Sequence, residues 1–334
     1  MGGARIVSYS KVDVRTWSIL GSRGTFGVAL TEAARSNSGI IALSADLCNT
    51  SGLDRFRNAY PARFINTGIA EQNMLGLAAG LAATGFIPFA TTFANFAALR
   101  SCEQVRHYLG YMQENVKLVG FGGGFAMGMF GVTHFALEDV AALRSISNLT
   151  IISPADGMEI VKATNAIAVA RGPVYLRLTG VMNAPIVYKE EYDFTIGKAV
   201  TLREGDAVAI VATGSMVSPS LKAAELLASQ GIATRVVDMH TIKPLDTAAV
   251  DQLVSHRLVV AVEEHSVMGG LGTSIAEHVA QKRTFPPLLR IGVAQGYPHV
   301  GDYQYMLEVC GLTAPKIADR IRLTLEGTVG LSHE

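Results

Sequence analysis

Short β-branched apolar runs alternate along the chain with longer stretches of helical period, and the alternation occurs twice. Runs at 40–44, 63–66, 87–91, 116–120, 150–152 and 174–178, bounded by Gly, Pro and Asp, predict strands. They are apolar at nearly every position, as strands covered on both faces must be. Between them, 24–36, 70–83, 95–109, 137–145 and 157–170 predict helices. The expectation is a doubly wound α/β domain over residues 1–185. A linker at about 179–195 follows, with Pro185 and the charged run Lys-Glu-Glu-Tyr-Asp193. Strands at 207–211, 234–237, 258–263 and 288–291 then alternate with helices at 219–229, 247–254, 273–281 and 315–325. They predict a second, smaller doubly wound domain over 196–330.

One stretch raises the question of a membrane. No Asp, Glu, Lys or Arg occurs from 72 to 99, between Glu71 and Arg100. That length would span a bilayer. Its interior is wrong for a span, because Gly85 and Pro88 interrupt it and Thr91, Thr92 and Asn95 follow. It reads as a buried helix, a turn, a buried strand and a second helix.

Composition narrows the picture. Of 334 residues 49% are apolar and only 17% charged, which suits extensive burial or an obligate oligomer. Lys+Arg and Asp+Glu balance at 28 each, so no basic field attracts nucleic acid or anionic lipid. Cys48, Cys102 and Cys310 are scattered, which argues against a disulfide framework or a zinc site and for a reduced cytoplasm. The N-terminus is charged and lacks an apolar core, so a signal peptide is not expected. Gly2 has no Ser or Thr at the sixth position, so neither is acylation.

The chemistry-bearing candidates begin with the run Phe64-Ile-Asn-Thr-Gly-Ile-Ala-Glu-Gln-Asn-Met74, where a strand meets a helix through a Gly turn. Glu71 falls in that helix's first turn, where the helix dipole favours any carboxylate. The helix is otherwise apolar on nearly every face, so a carboxylate entering it needs a partner. Further candidates follow in order: Thr-Thr-Phe93-Ala-Asn-Phe96, Gly-Val-Thr-His134, Ser-Pro-Ala-Asp156 and Gly-Pro-Val-Tyr-Leu-Arg177. In the second half come Asp-Met-His-Thr-Ile-Lys-Pro-Leu-Asp246 and Val-Glu-Glu-His-Ser-Val-Met-Gly-Gly-Leu-Gly272.

This order of motifs resembles the transketolase family over essentially the whole chain. The first half is similar to its pyrimidine-binding domain and the second to its C-terminal domain. The resemblance implies a thiamine diphosphate (ThDP) enzyme in which Glu71 bonds N1′ of the aminopyrimidine and activates the cofactor. It implies Phe93 and Phe96 as aromatics around that ring, with Leu99 as an apolar, unstacked wall. Asp46 would contact the cofactor or the subunit interface. Arg23, twenty-one residues before Ser44, matches the family spacing of a sugar-phosphate arginine. His134 is implied as a catalytic, substrate-facing proton shuttle. His240 and His265 are expected to be structural.

The chain departs from the family pattern at Gly122, Phe130 and Gly180, where sugar-phosphate transketolases place a histidine, an acid and an arginine. Arg177 stands two or three residues early and is expected to face elsewhere. Met127, Met129 and Phe130 make the loop apolar instead, so a non-standard acceptor is expected. Gly-Asp-Gly, the diphosphate and metal motif, does not occur; Gly205-Asp206 runs into Ala207. The resemblance then implies that Mg²⁺ (or Ca²⁺) and diphosphate are held by a partner, an N-terminal transketolase subunit with that motif. The expected assembly is a heterotetramer that also self-associates through the pyrimidine domain. Two alternatives stay open: the β subunit of a 2-oxo acid dehydrogenase E1 component, and a non-catalytic assembly subunit.

Overall fold

A computed structural model describes residues 9–327 and Gly330. The first eight residues, on which the acylation expectation and the start of the signal-peptide expectation fall, lie outside the described residues.

The strands of the first half are β1 (Ile40–Ser44), β2 (Phe64–Asn66), β3 (Ile87–Phe93), β4 (Lys117–Gly123), β5 (Thr150–Ile152) and β6 (Val174–Thr179). In the second half they are β7 (Val200–Arg203), β8 (Val208–Ala212), β9 (Thr234–Asp238), β10 (Thr241–Lys243), β11 (Leu258–Ser266) and β12 (Leu288–Val293). One sheet has the order β10-β5-β6-β4-β3-β1-β2 and the other β12-β11-β8-β9-β7. Both are parallel except at one edge, where β10 and β7 run antiparallel to their neighbours. Neither edge strand is foreseen by the sequence pattern. β10 comes from the second half of the chain yet completes the first sheet, pairing Thr241 with Ile152.

Burial explains the continuous apolar runs. In β1, Ile40 and Ala42 pack into one core with Phe26, Leu30, Ile160 and Ile167, while Ile41 and Leu43 pack into another with Met74, Leu75 and Ala78. Successive side chains point to opposite faces, and both faces carry helices, so most positions are apolar and a buried polar one, such as Arg177, needs a partner. The second sheet repeats the rule, with Val208 and Ile210 on one face and Ala209 and Val211 on the other. No helix of the described residues is long and apolar enough to cross a membrane. The uncharged stretch becomes helix Glu71–Ala83, strand β3 and a turn of helix at Phe96–Arg100.

The first helix starts at Lys11 rather than Gly24. Ser10 and Asp13 form a reciprocal cap: the Asp13 N–H donates to Ser10 Oγ at 3.2 Å, and the Ser10 N–H donates to Asp13 Oδ2 at 2.8 Å. The helix kinks at Gly21, whose φ is 68°. A β-carbon there would lie 2.9 Å from the carbonyl oxygen of Val181, so only glycine fits both the conformation and the space.

The two halves are joined by buried charge. Arg177 Nε and Nη2 donate to Asp139 at 2.7 and 3.1 Å, and Nη2 also reaches the carbonyls of Ala136 and Glu264. Burial alone would raise the Asp139 pKa, but Arg177 and then His265 hold it below the usual range. Glu264 accepts from the Phe125 N–H at 2.6 Å, from Tyr303 at 2.7 Å and from Ser215. A β-carbon on Gly124, φ 68°, would collide with Glu264 Oε1, so the glycine admits the carboxylate.

A second buried cluster ties the linker in. Tyr188 donates to Asp238 Oδ2 at 2.8 Å and Tyr192 to Glu159 Oε1 at 2.7 Å, and the two rings stack at 3.9 Å. Burial pushes the Asp238 carboxyl up to about 7, and Asp156 adds to the rise. Burial and then the Asp238 charge push Glu159 well up as well. A raised carboxyl takes up a proton on folding, so its stabilisation is complete below the ordinary carboxylate range and is lost as pH rises through about 7. One such group gives a slope of about 1.4 kcal/mol per pH unit. Urea unfolding of wild type between pH 5 and 7 should show stability falling, and Asp238→Asn should flatten that slope; equal slopes would refute the assignment.

Candidate active site

Strands β1 to β4 are parallel neighbours, so their C-terminal ends share one edge. From β1 the chain moves outward to β2, then crosses back to β3 on the other side of β1. Such a reversal opens a crevice where open α/β sheets bind ligands. Asp46 and Glu71 follow the ends of β1 and β2, Phe93 ends β3, and the loop carrying His134 follows β4.

Glu71 is the first residue of helix Glu71–Ala83, which has no side-chain cap. It is 2% exposed. Its Oε1 accepts from Arg100 Nη1 at 2.8 Å. The two charges that bound the uncharged 72–99 stretch therefore neutralise each other. Oε2 makes no hydrogen bond among the described residues. The Arg100 side chain stays 44% exposed, and its guanidinium lies 3.7 Å over the Phe96 ring, a cation–π contact.

Around this pair the helix winds loosely. The Ser101 N–H donates to Phe96 O and the Met112 N–H to His107 O, each five residues back. Wide turns of this kind recur at functional sites; here one places Phe96 and Arg100 beside Glu71. The sequence pattern predicts a regular helix over 95–109 and does not show this.

Phe96 meets Phe93 edge-on at 5.5 Å, and both meet the His134 ring, at 5.5 and 5.0 Å. Phe130 packs on the same imidazole at 5.1 Å. His134 sits on a loop closed by paired backbone bonds between Gly124 and Ala136, 2.9 and 3.0 Å. The loop is pinned by Asn95 Nδ2, which donates to Thr133 O at 2.6 Å. Burial and then Arg100 lower the His134 pKa, so the ring is neutral near pH 7. Its Nδ1 pairs with Thr133 Oγ1 at 3.0 Å, leaving Nε2 for a ligand.

Glu71, Phe93, Phe96 and His134 thus form one contiguous chain of contacts through Arg100. Arg100, Asn95 and Thr133 join it and were not singled out from sequence; Arg100 had a signal, being the charge that ends the neutral run. The other candidates stand outside these contacts. Asp46, exposed with φ 59°, exchanges bonds with Asn66. Arg23 donates to Thr50 O at 2.9 Å, and burial lowers its pKa. Arg177 faces away into the buried ion pair described above. His240 is buried and stacked on Phe194 at 4.3 Å, its pKa lowered by burial to about 4. His265 is buried with Nδ1 against Ser266 O.

The cradle fits an aminopyrimidine. Among the described residues Asn95 Oδ1 is buried without a partner and Glu71 Oε2 is unbonded, and the Phe93 and Phe96 rings pack against His134 beside them. Among the described residues no group of three or more His, Cys, Asp or Glu could hold a metal.

A doubly wound sheet with a glutamate, two phenylalanines and a histidine at its reversal point is a candidate half-site for a cofactor. The chain belongs to the transketolase family: residues 20–180 match its pyrimidine binding domain and residues 197–317 its C-terminal domain. It is 43% identical over 298 residues to a 6-deoxy-6-sulfo-D-fructose transketolase subunit from Clostridium sp., covering 88% of this chain and 91% of that one. It is 36% identical over 278 residues to an apulose-4-phosphate transketolase subunit from Phocaeicola vulgatus, covering 83% and 88%. Among solved structures it resembles a split gene transketolase in an inactive β4 tetramer, with TM-score 0.81, 39% identity, and coverage of 90% and 96%. The chain corresponds to the C-terminal subunit of a split transketolase.

Proposed function

We propose that this chain is the subunit of a ThDP-dependent transketolase that supplies Glu71 and His134, and that it transfers a two-carbon ketol unit only when paired with an N-terminal subunit. The observation carrying this reading is the contact chain Glu71–Arg100–Phe96–Phe93–His134 at the reversal point of the first sheet. ThDP, when bound, supplies the nucleophilic carbon. Glu71 holds a proton at N1′ of the pyrimidine. Arg100 pairs with the Glu71 carboxylate until the ring arrives, and its half-exposed side chain is free to swing out. Phe93 and Phe96 exclude water and orient the ring. Neutral His134, its Nδ1 taken by Thr133, directs Nε2 to a substrate oxygen and moves a proton there.

The diphosphate and Mg²⁺ are assigned to the partner, which would carry Gly-Asp-Gly, in a heterotetramer of two of each subunit. The split-gene relative seen as an inactive β4 tetramer supports self-association without turnover. For substrate, the apolar loop counts: Met129 and Phe130 are exposed, and Phe130 stands where the usual enzymes place an acid. The two relatives named for sulfofructose and apulose phosphate support a ketose or aldehyde outside the common pentose phosphates.

Co-expression with a Gly-Asp-Gly chain tests this, by calorimetry with ThDP and Mg²⁺ on the pair and on this chain alone. Tight binding by the pair only is expected, together with turnover of sulfo- or branched-sugar substrates above that of xylulose 5-phosphate and ribose 5-phosphate. No binding by a folded pair would favour an assembly-only subunit, and ordinary turnover of the pentose phosphates would refute the substrate reading.

A further inference from the structure

The loop that carries His134 belongs to the first domain, yet it meets the C-terminal domain at three points. At its start the Phe125 N–H donates to Glu264 Oε1 at 2.6 Å, and the other oxygen of Glu264 accepts from Tyr303 at 2.7 Å. Tyr303 opens helix Tyr303–Val309, which Asp302 caps by accepting from the Tyr305 N–H at 2.9 Å. Further along, a β-carbon on Gly128 would lie 3.3 Å from both the Gly301 carbonyl oxygen and Met306 Cγ. At the turn before His134, a β-carbon on Gly131 would lie 3.3 Å from Val300 Cγ2. The loop therefore has glycines where the segment 300–306 comes closest, and the valine methyl fills the space that a side chain on Gly131 would need.

Gly131 is the pivot of the loop. Its carbonyl accepts from the His134 N–H at 2.9 Å and the Phe135 N–H at 3.2 Å, and its own N–H donates to Gly128 O at 3.0 Å. A tilt of Gly131 carries His134 with it. Phe130, its neighbour in the chain, packs on the imidazole at 5.1 Å. Val300 is the side chain that bears on this pivot. It is exposed, so its truncation should leave the fold intact. The segment that presents it has its own hold on the first domain, because Tyr297 donates to Glu138 Oε1 at 2.9 Å.

We propose that Val300, on a loop of the C-terminal domain, is a positioning residue for His134: by bearing on Gly131 it sets the imidazole against Phe130 and in line with the Glu71 half of the site. The catalytic consequence rests on the transketolase reading above, whereas the tether belongs to this chain alone. His134 moves a proton only when Nε2 stands within hydrogen-bond reach of its target, and a misplacement of about 1 Å costs up to about 10²-fold in rate. The expected cofactor contacts stand on other elements: Glu71 on its helix, Phe93 on β3 and Phe96 on the turn that follows. Loss of the Val300 side chain should therefore slow turnover and leave cofactor affinity alone, a split that a general loss of structure would not give.

Two measurements test this. The first is nuclear magnetic resonance of the full chain by itself, isotope-labelled in histidine, with the His134 ring signal assigned by its loss in His134→Gln. Phe93, Phe96 and Phe130 surround that ring at 5.0 to 5.5 Å, so their ring currents displace its signal. Val300→Ala should move the signal toward that of free histidine and Val300→Ile should restore it. Val254→Ala, at another exposed valine of the same domain, should leave it in place. The second is kinetics of the pair with the Gly-Asp-Gly subunit. Val300→Ala should lower kcat about tenfold with ThDP affinity unchanged, and Val300→Ile should recover most of the loss. A His134 signal indifferent to Val300→Ala would overturn the proposal. So would a wild-type kcat in the Val300→Ala pair, or a loss of ThDP affinity and melting temperature to match the loss of rate. A wild-type pair without turnover would sink the transketolase reading alone, since the ring signal decides the tether without it.

Discussion

Replacing Glu71 with glutamine in the reconstituted pair is expected to lower kcat by about 10²–10⁴-fold, the range for losing a positioned general acid–base group. Glutamine keeps the size and shape of the side chain but cannot exchange a proton at N1′. The position is 2% exposed, so no water takes over the task. Folding should survive. The Arg100 side chain is 44% exposed, so the ion pair lost is a weakly stabilising one, worth on the order of 1 kcal/mol or less, and Arg100 keeps its stack on Phe96. Steady-state kinetics with a thermal melt check both halves of the expectation. A kcat near wild type would remove Glu71 from the mechanism; a collapsed melt would mean that its role is structural.

Arg177→Leu should destabilise the chain by about 3–5 kcal/mol, the cost of leaving a buried charge without its partner. Asp139 is fully buried and would keep Tyr175, which donates at 2.7 Å, and the longer approach of His265 Nε2 at 3.9 Å. The carbonyls of Ala136 and Glu264 would each lose the Arg177 donor as well. Because those two carbonyls come from opposite halves of the chain, the loss should loosen the contact between the halves. Arg177→Lys should not restore it, since an ammonium cannot reproduce the two-pronged contact with Asp139. Urea unfolding gives the measurement. A change below about 1 kcal/mol would show that the pair is not an anchor, because surface pairs reach that value.

Local pattern was enough to locate the strands that carry the candidate site and four residues that the fold brings together there. The reason is locality. A strand covered on both faces is apolar or small at nearly every position, so β1 and β3 show in composition alone, and the turn before Glu71 and the Thr-His134 pair are contiguous motifs. The absence of Gly-Asp-Gly was equally plain. The tertiary structure decided everything that joins distant residues. Arg100 finds Glu71 across 29 positions, and Arg177 finds Asp139 across 38; many other charges were equally eligible in the sequence. β10 is three residues long, too short to show a period, and only its pairing with β5 makes it a strand. The wide turn at Phe96 goes with the packing of its ring against Phe93 and His134. Local pattern fixes which element a residue joins, whereas the partner of a buried charge or hydroxyl is fixed by the path the whole chain takes.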